Sequence, residues 1–411
     1  MQKSRLTIIF IIVFIDLLGF SLILPLLPFY AEEFGATPTQ IGLLVASYAA
    51  AQLVGAPLLG RLSDRFGRRP VLVLSIFGTL VGFLMLGFAN SLWMLFASRL
   101  LDGFTGGNIS VAQAYITDIT DEKSRARGLG LLGAAFGLGF IIGPAVGGTL
   151  SVYGYALPAF IAAGFSLLAL LGVIFMLPES LSESVRAELA KRRTEEYRLR
   201  NFWNTLTRPR VGPLLNIRFF YGLAFSTFQT IFPLYALYRL DLNAQATGYV
   251  LTYVGVLVVF VQGYMVGRLA DRYRDRSLIF VSLVVMTFSL FAWAATPSLV
   301  ILLIVLAPLA FAAGILNTIL NTSLSKSVYP EEVGGTLGIS ASLESLTRVI
   351  SPSAGGYLLG SLGTWAPGVV SGGIMIWTVF YAWRRLIRNP DPPLPARSDA
   401  DGFDVSPAAI E

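Results

Sequence analysis

Cysteine and histidine are both missing from this chain. Without cysteine there is no disulfide, no thiolate metal site and no thiol nucleophile. Without histidine the side chain that usually titrates near neutral pH is absent, so any proton handling falls to carboxylates. Charge is scarce as well. Asp, Glu, Lys and Arg make up 13% of the chain and hydrophobic residues 55%, against roughly 25% charged in soluble domains. A soluble fold of 411 residues could not cover that much apolar surface, whereas a bilayer can serve as its solvent. The net charge of +6 is spread over short segments between apolar runs, which excludes a nucleic-acid-binding patch. There is no phosphate loop, no cluster of metal ligands and no nucleophile–base pair, so an enzyme is not expected, and no metal or cofactor is implied.

A spanning helix needs ~20 apolar residues. Twelve segments qualify, near 6–30, 40–60, 70–89, 92–116, 128–151, 155–177, 211–238, 246–268, 277–295, 298–323, 333–360 and 365–387. The first follows Lys3 and Arg5 but is too long for a signal peptide, and no small-residue cleavage site comes after it. The expected class is an all-α membrane protein of two pseudo-symmetric six-helix bundles. Residues 1–177 form the N-terminal bundle, 178–210 a cytoplasmic linker, 211–388 the C-terminal bundle and 389–411 a cytoplasmic tail that reads as disordered. With the N-terminus placed inside, 26 of the 30 basic residues are cytoplasmic, three lie within spans and only Arg239 is outside. The positive-inside rule therefore puts both termini in the cytoplasm.

The chain repeats itself. Gly60-Arg-Leu-Ser-Asp64-Arg65 returns 207 residues later as Gly267-Arg-Leu-Ala-Asp271-Arg272. Gly143-Pro-Ala-Val-Gly-Gly148 returns 208 later as Ser351-Pro-Ser-Ala-Gly-Gly356, and Pro28-Phe-Tyr-Ala31 returns 205 later as Pro233-Leu-Tyr-Ala236. Parallel halves of this kind are typical of transporters that rock about a midplane site.

Between the second and third spans stands Gly60-Arg-Leu-Ser-Asp64-Arg65-Phe-Gly67-Arg68-Arg69. Charge retention alone would explain the arginines but needs neither the glycines nor the embedded aspartate. In the fifth span, Gly139, Gly143 and Gly147 share a face, as do Gly133 and Gly137 one stretch earlier, while Pro144 and Gly148 follow the same pattern. This spacing permits close helix contact, and Pro144 removes a backbone donor and can kink the helix. A generic tightly packed helix is the plainer reading.

Several polar side chains stand inside the spans, where each is costly and functional by default. Asp16 lies about 15 Å along the first helix from Arg5, near the midplane. In the fourth span Arg99, Asp102, Gly106, Ser110, Gln113 and Thr117 form a stripe at helical period, with Asn108 beside it. Arg99 and Asp102 can equally be a structural ion bridge. In the C-terminal half Glu344 and Arg348 are spaced to pair on one helix. Asn317 and Asn321 are one turn apart, and Gln229 sits among Tyr221, Phe225, Phe228 and Phe232. Arg218, two turns into its span, is expected to snorkel.

In this order the motifs resemble those of the major facilitator superfamily, and within it the drug/proton antiporters such as the bacterial tetracycline/proton antiporters. The N-terminal half carries the resemblance, and the C-terminal half matches by architecture and weaker repeats. The resemblance implies that Asp64 sits near the N-terminus of the eleventh span and that the loop arginines pair with an acid ending the fourth span, here Asp118. Together Gly60, Asp64, Arg65, Gly67, Arg68, Arg69 and Asp118 would latch the cytoplasmic side shut and favour an outward-open state. Gly139 to Gly148 matches the antiporter motif of exporters. Arg99 with Gly103 matches an arginine motif tied to proton coupling, and Asp102 departs from the glutamine usual there. The expected function is proton-coupled export of small amphipathic compounds, neutral, zwitterionic or cationic and including tetracycline-like drugs, by a chain acting as a monomer. Asp16, Arg99 and Asp102 would couple protons. Asn108, Gln113, Phe225, Gln229, Asn317, Asn321, Glu344 and Arg348 would line the substrate cavity. An importer, a lipid flippase, a channel and a non-transporting sensor are the competing readings.

Overall fold

The computed structural model describes residues 2–182, 185–186, 205–329 and 332–388, and every regular element among them is helical. Most of the linker and the whole 389–411 tail lie outside the described residues. The N-terminal half holds Gln2–Ile23 followed by the short helix Leu27–Glu33, then Pro38–Phe66, Arg68–Gly87, the pair Leu92–Thr105 and Asn108–Ile119, Glu122–Leu150, and Ala156–Met176. The C-terminal half holds Val211–Leu240, then Ala244–Phe260 continued through a π-turn into Val266–Arg272, then Asp275–Ala294, Leu299–Lys326, Val333–Leu362 and Ala366–Ala382. Nine of these helices are long and apolar enough to cross a membrane by length and composition alone. The other three spans are polar for identifiable reasons. The fourth is broken in two, the seventh carries Arg218, and the eleventh carries Glu344 and Arg348.

Caps repeat with the halves. Thr37 opens the second span with a reciprocal capping box to Gln40, with Thr37 N donating to Gln40 Oε1 at 2.8 Å. Asn243 opens the eighth at the equivalent place, accepting from Ala246 N at 2.9 Å. Each satisfies backbone donors that a helix start leaves orphaned. Lipid tails are as apolar as leucine, so packing and hydrogen bonds between helices hold such bundles together. In the C-terminal half Phe228 meets Trp293 edge-on at 5.0 Å, and the buried Tyr235 hydroxyl donates to the Trp293 carbonyl at 2.6 Å. Tyr221, Phe228 and Phe232 are thus core residues of that half rather than cavity aromatics.

The halves touch at one end and part at the other. A Cβ on Gly248 of the eighth span would fall 2.3 Å from the Pro144 carbonyl oxygen of the fifth. Its repeat equivalent, a Cβ on Gly42 of the second span, would fall 2.2 Å from the Pro352 carbonyl oxygen of the eleventh. Thr252 donates to the Ile141 carbonyl at 3.1 Å, and Thr149 meets Tyr249 at 3.0 Å. Eighteen residues, five helical turns, return a side chain to the same face. Gly60, Gly338 and Gly130 lie eighteen residues from Gly42, Gly356 and Gly148, yet a Cβ on any of the three meets nothing within 4 Å. The gap between the halves therefore opens toward the face bearing the 60–69 loop.

Candidate functional site

In the N-terminal half three charged side chains are enclosed. Asp16 is 5% exposed, Arg99 3% and Asp102 2%. Arg99 Nη1 reaches Asp102 Oδ2 at 3.2 Å, and its guanidinium lies 5.4 Å from the Phe83 ring centre. Thr79 donates to Asp102, and Gly82 makes room for it, since a Cβ there would be 3.0 Å from the Asp102 Cβ. Asp16 does not pair with Arg99. Its Oδ2 accepts from the Asn108 amide, and it lines a small cavity with Ile12, Leu72 and Ile76. Asp16 Oδ1 and Arg99 Nη2 are buried without a hydrogen-bond partner. Two acids face one arginine here, so with all three ionised the enclosed charge is −1. Burying charge that is not fully paired is costly, and such sites persist where they are used.

The fourth span is not the continuous stripe that its period predicts. It ends at Thr105 and restarts at Asn108, with Gly106 and Gly107 between. The break turns Asn108 inward to Asp16 and places Gln113 on the opposite, exposed face of the new helix. Those two candidate residues are therefore not brought together. Gln52 of the second span donates to the carbonyl freed at Gly106 at 2.9 Å and to the Tyr48 hydroxyl at 3.1 Å. This repays the backbone group that the break leaves open. Neither Gln52 nor Tyr48 was singled out in sequence: their spacing lets them pair on one helix, but the Gly106 carbonyl becomes a partner only in the fold.

In the C-terminal half Arg218 does not snorkel. Its Nη2 bonds Glu344 Oε2 at 2.6 Å and its Nη1 bonds Asn317 Oδ1 at 2.9 Å. Arg348 takes the other carboxylate oxygen, Oε1, at 2.6 Å. Gly222, Phe225 and Gln229 continue the face of the seventh span that carries Arg218. Asn321 lies one turn beyond Asn317, half-buried, outside this bonded set.

The 60–69 loop is bound within its own half. Arg68 bridges Asp64 at 2.5 Å and Asp118 at 3.0 Å. Arg69 instead donates to the Val173 and Ile174 carbonyls ending the sixth span, and Arg65 lies over the adjacent Phe66 ring. Only one of the three arginines therefore meets Asp118. Asp64 is held by Arg68 and its side chain is 46% exposed, so it does not seal against the eleventh span in this conformation. Glu179 was not singled out in sequence. Its carboxylate accepts from Arg68 N at 2.9 Å and Arg69 N at 3.1 Å, capping the third span. Gly67 has φ 105° and ψ 158°, and a Cβ there would stand 2.5 Å from Glu179 Oε2. Gly67→Ala should therefore cost about 1–3 kcal/mol of strain, read as a lower Tm of the purified protein. An unchanged Tm would contradict this account of the loop.

The fifth-span glycines divide their work. Gly139, Gly143 and Gly147 receive Leu17, Ser21 and Leu22 of the first span, and Ser21 Oγ donates to the Gly139 carbonyl at 2.8 Å. Pro144 and Gly148 face the eighth span of the other half. A Cβ on Gly137 would meet Val259 across the halves, whereas one on Gly133 would meet nothing within 4 Å, so close contact ends at Gly137. The repeat behaves alike, with Gly355 against Ile231 inside its half and Gly356 against Pro38 across it.

The family model described as Major Facilitator Superfamily matches residues 9–268 and again 214–410. The chain belongs to the major facilitator superfamily. It is a transporter of that fold, with two six-helix halves. It is 34% identical over 359 residues to the tetracycline resistance protein, class H, of Pasteurella multocida, covering 86% of this chain and 88% of that protein. It is 28% identical over 380 residues to multidrug resistance protein 2 of Bacillus subtilis, covering 91% and 93%. Among solved structures it is similar to the bacterial homologue of the human lysosomal transporter Spinster, with TM-score 0.76, 16% identity and 92% and 95% coverage.

Proposed function

We propose that this transporter is a proton-coupled exporter of small amphipathic compounds, working by alternating access in a plasma membrane with both termini cytoplasmic. The face bearing the 60–69 loop is then cytoplasmic, and the conformation described above is inward-open. The observation that carries the reading is the enclosed set of Asp16, Asn108, Arg99 and Asp102. Two buried carboxylates are enclosed with a single arginine, which pairs with Asp102 alone, and one oxygen of Asp16 has no partner. A proton arriving from outside removes that uncompensated charge. On Asp102 it also loosens the hold on Arg99. Substrate binds between the halves and leaves in the opposite direction. The chain's similarity to a tetracycline resistance protein and a multidrug resistance protein agrees with export of drug-like compounds.

The test is transport in reconstituted vesicles with an imposed pH gradient and a panel of cationic, neutral and anionic compounds. Drug movement against its own gradient, with protons moving the other way, is expected. Substrate-driven proton movement in the same direction as substrate would instead indicate an importer.

In this scheme the 60–69 loop governs conformation. Asp64→Asn removes the partly exposed partner of a buried Arg68 that keeps Asp118, a local change of about 1 kcal/mol, and it removes a seal that the outward-open state requires. Turnover should fall several-fold with substrate affinity little changed. Normal turnover with lost binding would contradict that role.

A further inference from the structure

Proton coupling as proposed uses the acids of the N-terminal half and leaves three charged side chains of the C-terminal half without a task. Arg218, Glu344 and Arg348 form a compact cluster in which each oxygen of one carboxylate is taken by a different guanidinium, at 2.6 Å on either side. Two cations share one anion, so a positive charge is left over. The C-terminal cluster is thus +1 where the N-terminal one is −1. Arg218 is enclosed and fixed by Asn317, with a side chain 7% exposed, while that of Arg348 is 58% exposed. Arg348 stands one turn before Pro352, whose carbonyl oxygen meets Gly42 of the second span, and so lies on the same face of the eleventh span. Its free donors therefore face the gap between the halves rather than lipid. A guanidinium carries five N–H donors in a planar fork suited to a carboxylate.

We infer that this cluster is the substrate's anion-binding subsite, so that the exported compounds are amphipathic zwitterions whose acidic group seats on Arg348. The assignment rests on the exporter reading and narrows it. Asn317 fixes Arg218, Arg218 holds Glu344 in place, and Glu344 is the internal competitor that an incoming carboxylate displaces from Arg348. Phe225, two turns along the Arg218 face of the seventh span, offers apolar contact to the remainder of the ligand. On the opposite wall Phe20 and Tyr48 form an aromatic pair with ring centres 5.3 Å apart.

The experiment compares two zwitterions, norfloxacin and ampicillin, with their esters, which keep the amine and lose the acid. Binding is measured on the purified full-length protein, and flux in vesicles under a pH gradient. Each acid should bind roughly 10-fold or more tighter than its ester, the scale of one charge-assisted hydrogen bond. Arg348→Gln should bring that ratio close to one, Arg348→Lys should keep part of it, and Glu344→Gln should tighten acid binding. Equal binding of acid and ester, or a preference that survives Arg348→Gln, overturns the subsite. Gradient-driven flux without acid preference sinks the subsite and leaves the exporter reading standing. Acid-selective binding with no flux under either gradient keeps the subsite and sinks the exporter reading.

Discussion

Asp16→Asn should abolish uphill transport while sparing exchange of substrate for substrate. Asparagine keeps the shape and can still hydrogen-bond the Asn108 amide, so the packing of the first and fourth spans survives. It cannot carry a proton or a charge. Removing a positioned proton-transfer group typically loses about 10²-fold or more, and gradient-driven efflux should fall by that much. Counterflow, which needs the carrier to rock only when loaded with substrate, should remain within a few-fold. The measurement is radiolabelled or fluorescent substrate flux in the same vesicles with and without a pH gradient. Normal gradient-driven efflux in the variant would remove Asp16 from the coupling scheme. Asp102→Asn then becomes the discriminating variant, since Asp102 is the acid in direct contact with Arg99 at 3.2 Å.

Filling the crossing points between the halves should trap the transporter in the opposite state. A Cβ on Gly42 or Gly248 would come within 2.2 Å or 2.3 Å of a carbonyl oxygen of the other half. Backbone at both partners leaves no flexible side chain to move aside. Gly42→Val combined with Gly248→Val should therefore open the end that is closed here, and transport should drop to background. A shift of a few kcal/mol in a two-state equilibrium changes populations by well over 10-fold, which is visible as a distance change. The chain has no cysteine, so spin labels can be placed at chosen pairs across the closed end without first removing native thiols. Unchanged distances together with normal transport would mean that the glycines are incidental to the crossing.

The glycine pairs also explain the repeat. Pro144 with Gly248 and Pro352 with Gly42 are equivalent contacts related by the internal duplication, one on each side of the interface. The fifth-span motif is thus half of a symmetric device whose other half is the weaker repeat at 351–356. A closing end built from backbone against backbone fits tightly without needing charge. At the open end Arg68 satisfies Asp64 and Asp118 inside its own half.

Sequence by itself determined much of this protein. Sparse charge and twelve apolar runs dictate a helical membrane protein, because an unbroken apolar run of about 20 residues fits a spanning helix and not the short alternating strands of a membrane barrel. Matches at nearly one offset dictate two equivalent halves. Midplane charges are visible one by one, since any ion in an apolar run stands out. Partners across helices are not visible. Helical period places Asp102 beside Arg99 and Arg348 beside Glu344, but Arg218 is 126 residues from Glu344, and only the packing of the seventh span on the eleventh joins them. Asn108 reaches Asp16 because Gly106 and Gly107 break a helix that its polar period describes as continuous. Gln52 meets the Gly106 carbonyl, Tyr48 meets the Phe20 ring and Glu179 caps the third span only because the fold brings distant parts of the chain together. Which end is closed was also settled by tertiary structure alone, because the two states of a rocking carrier share one sequence and differ only in which glycine faces meet.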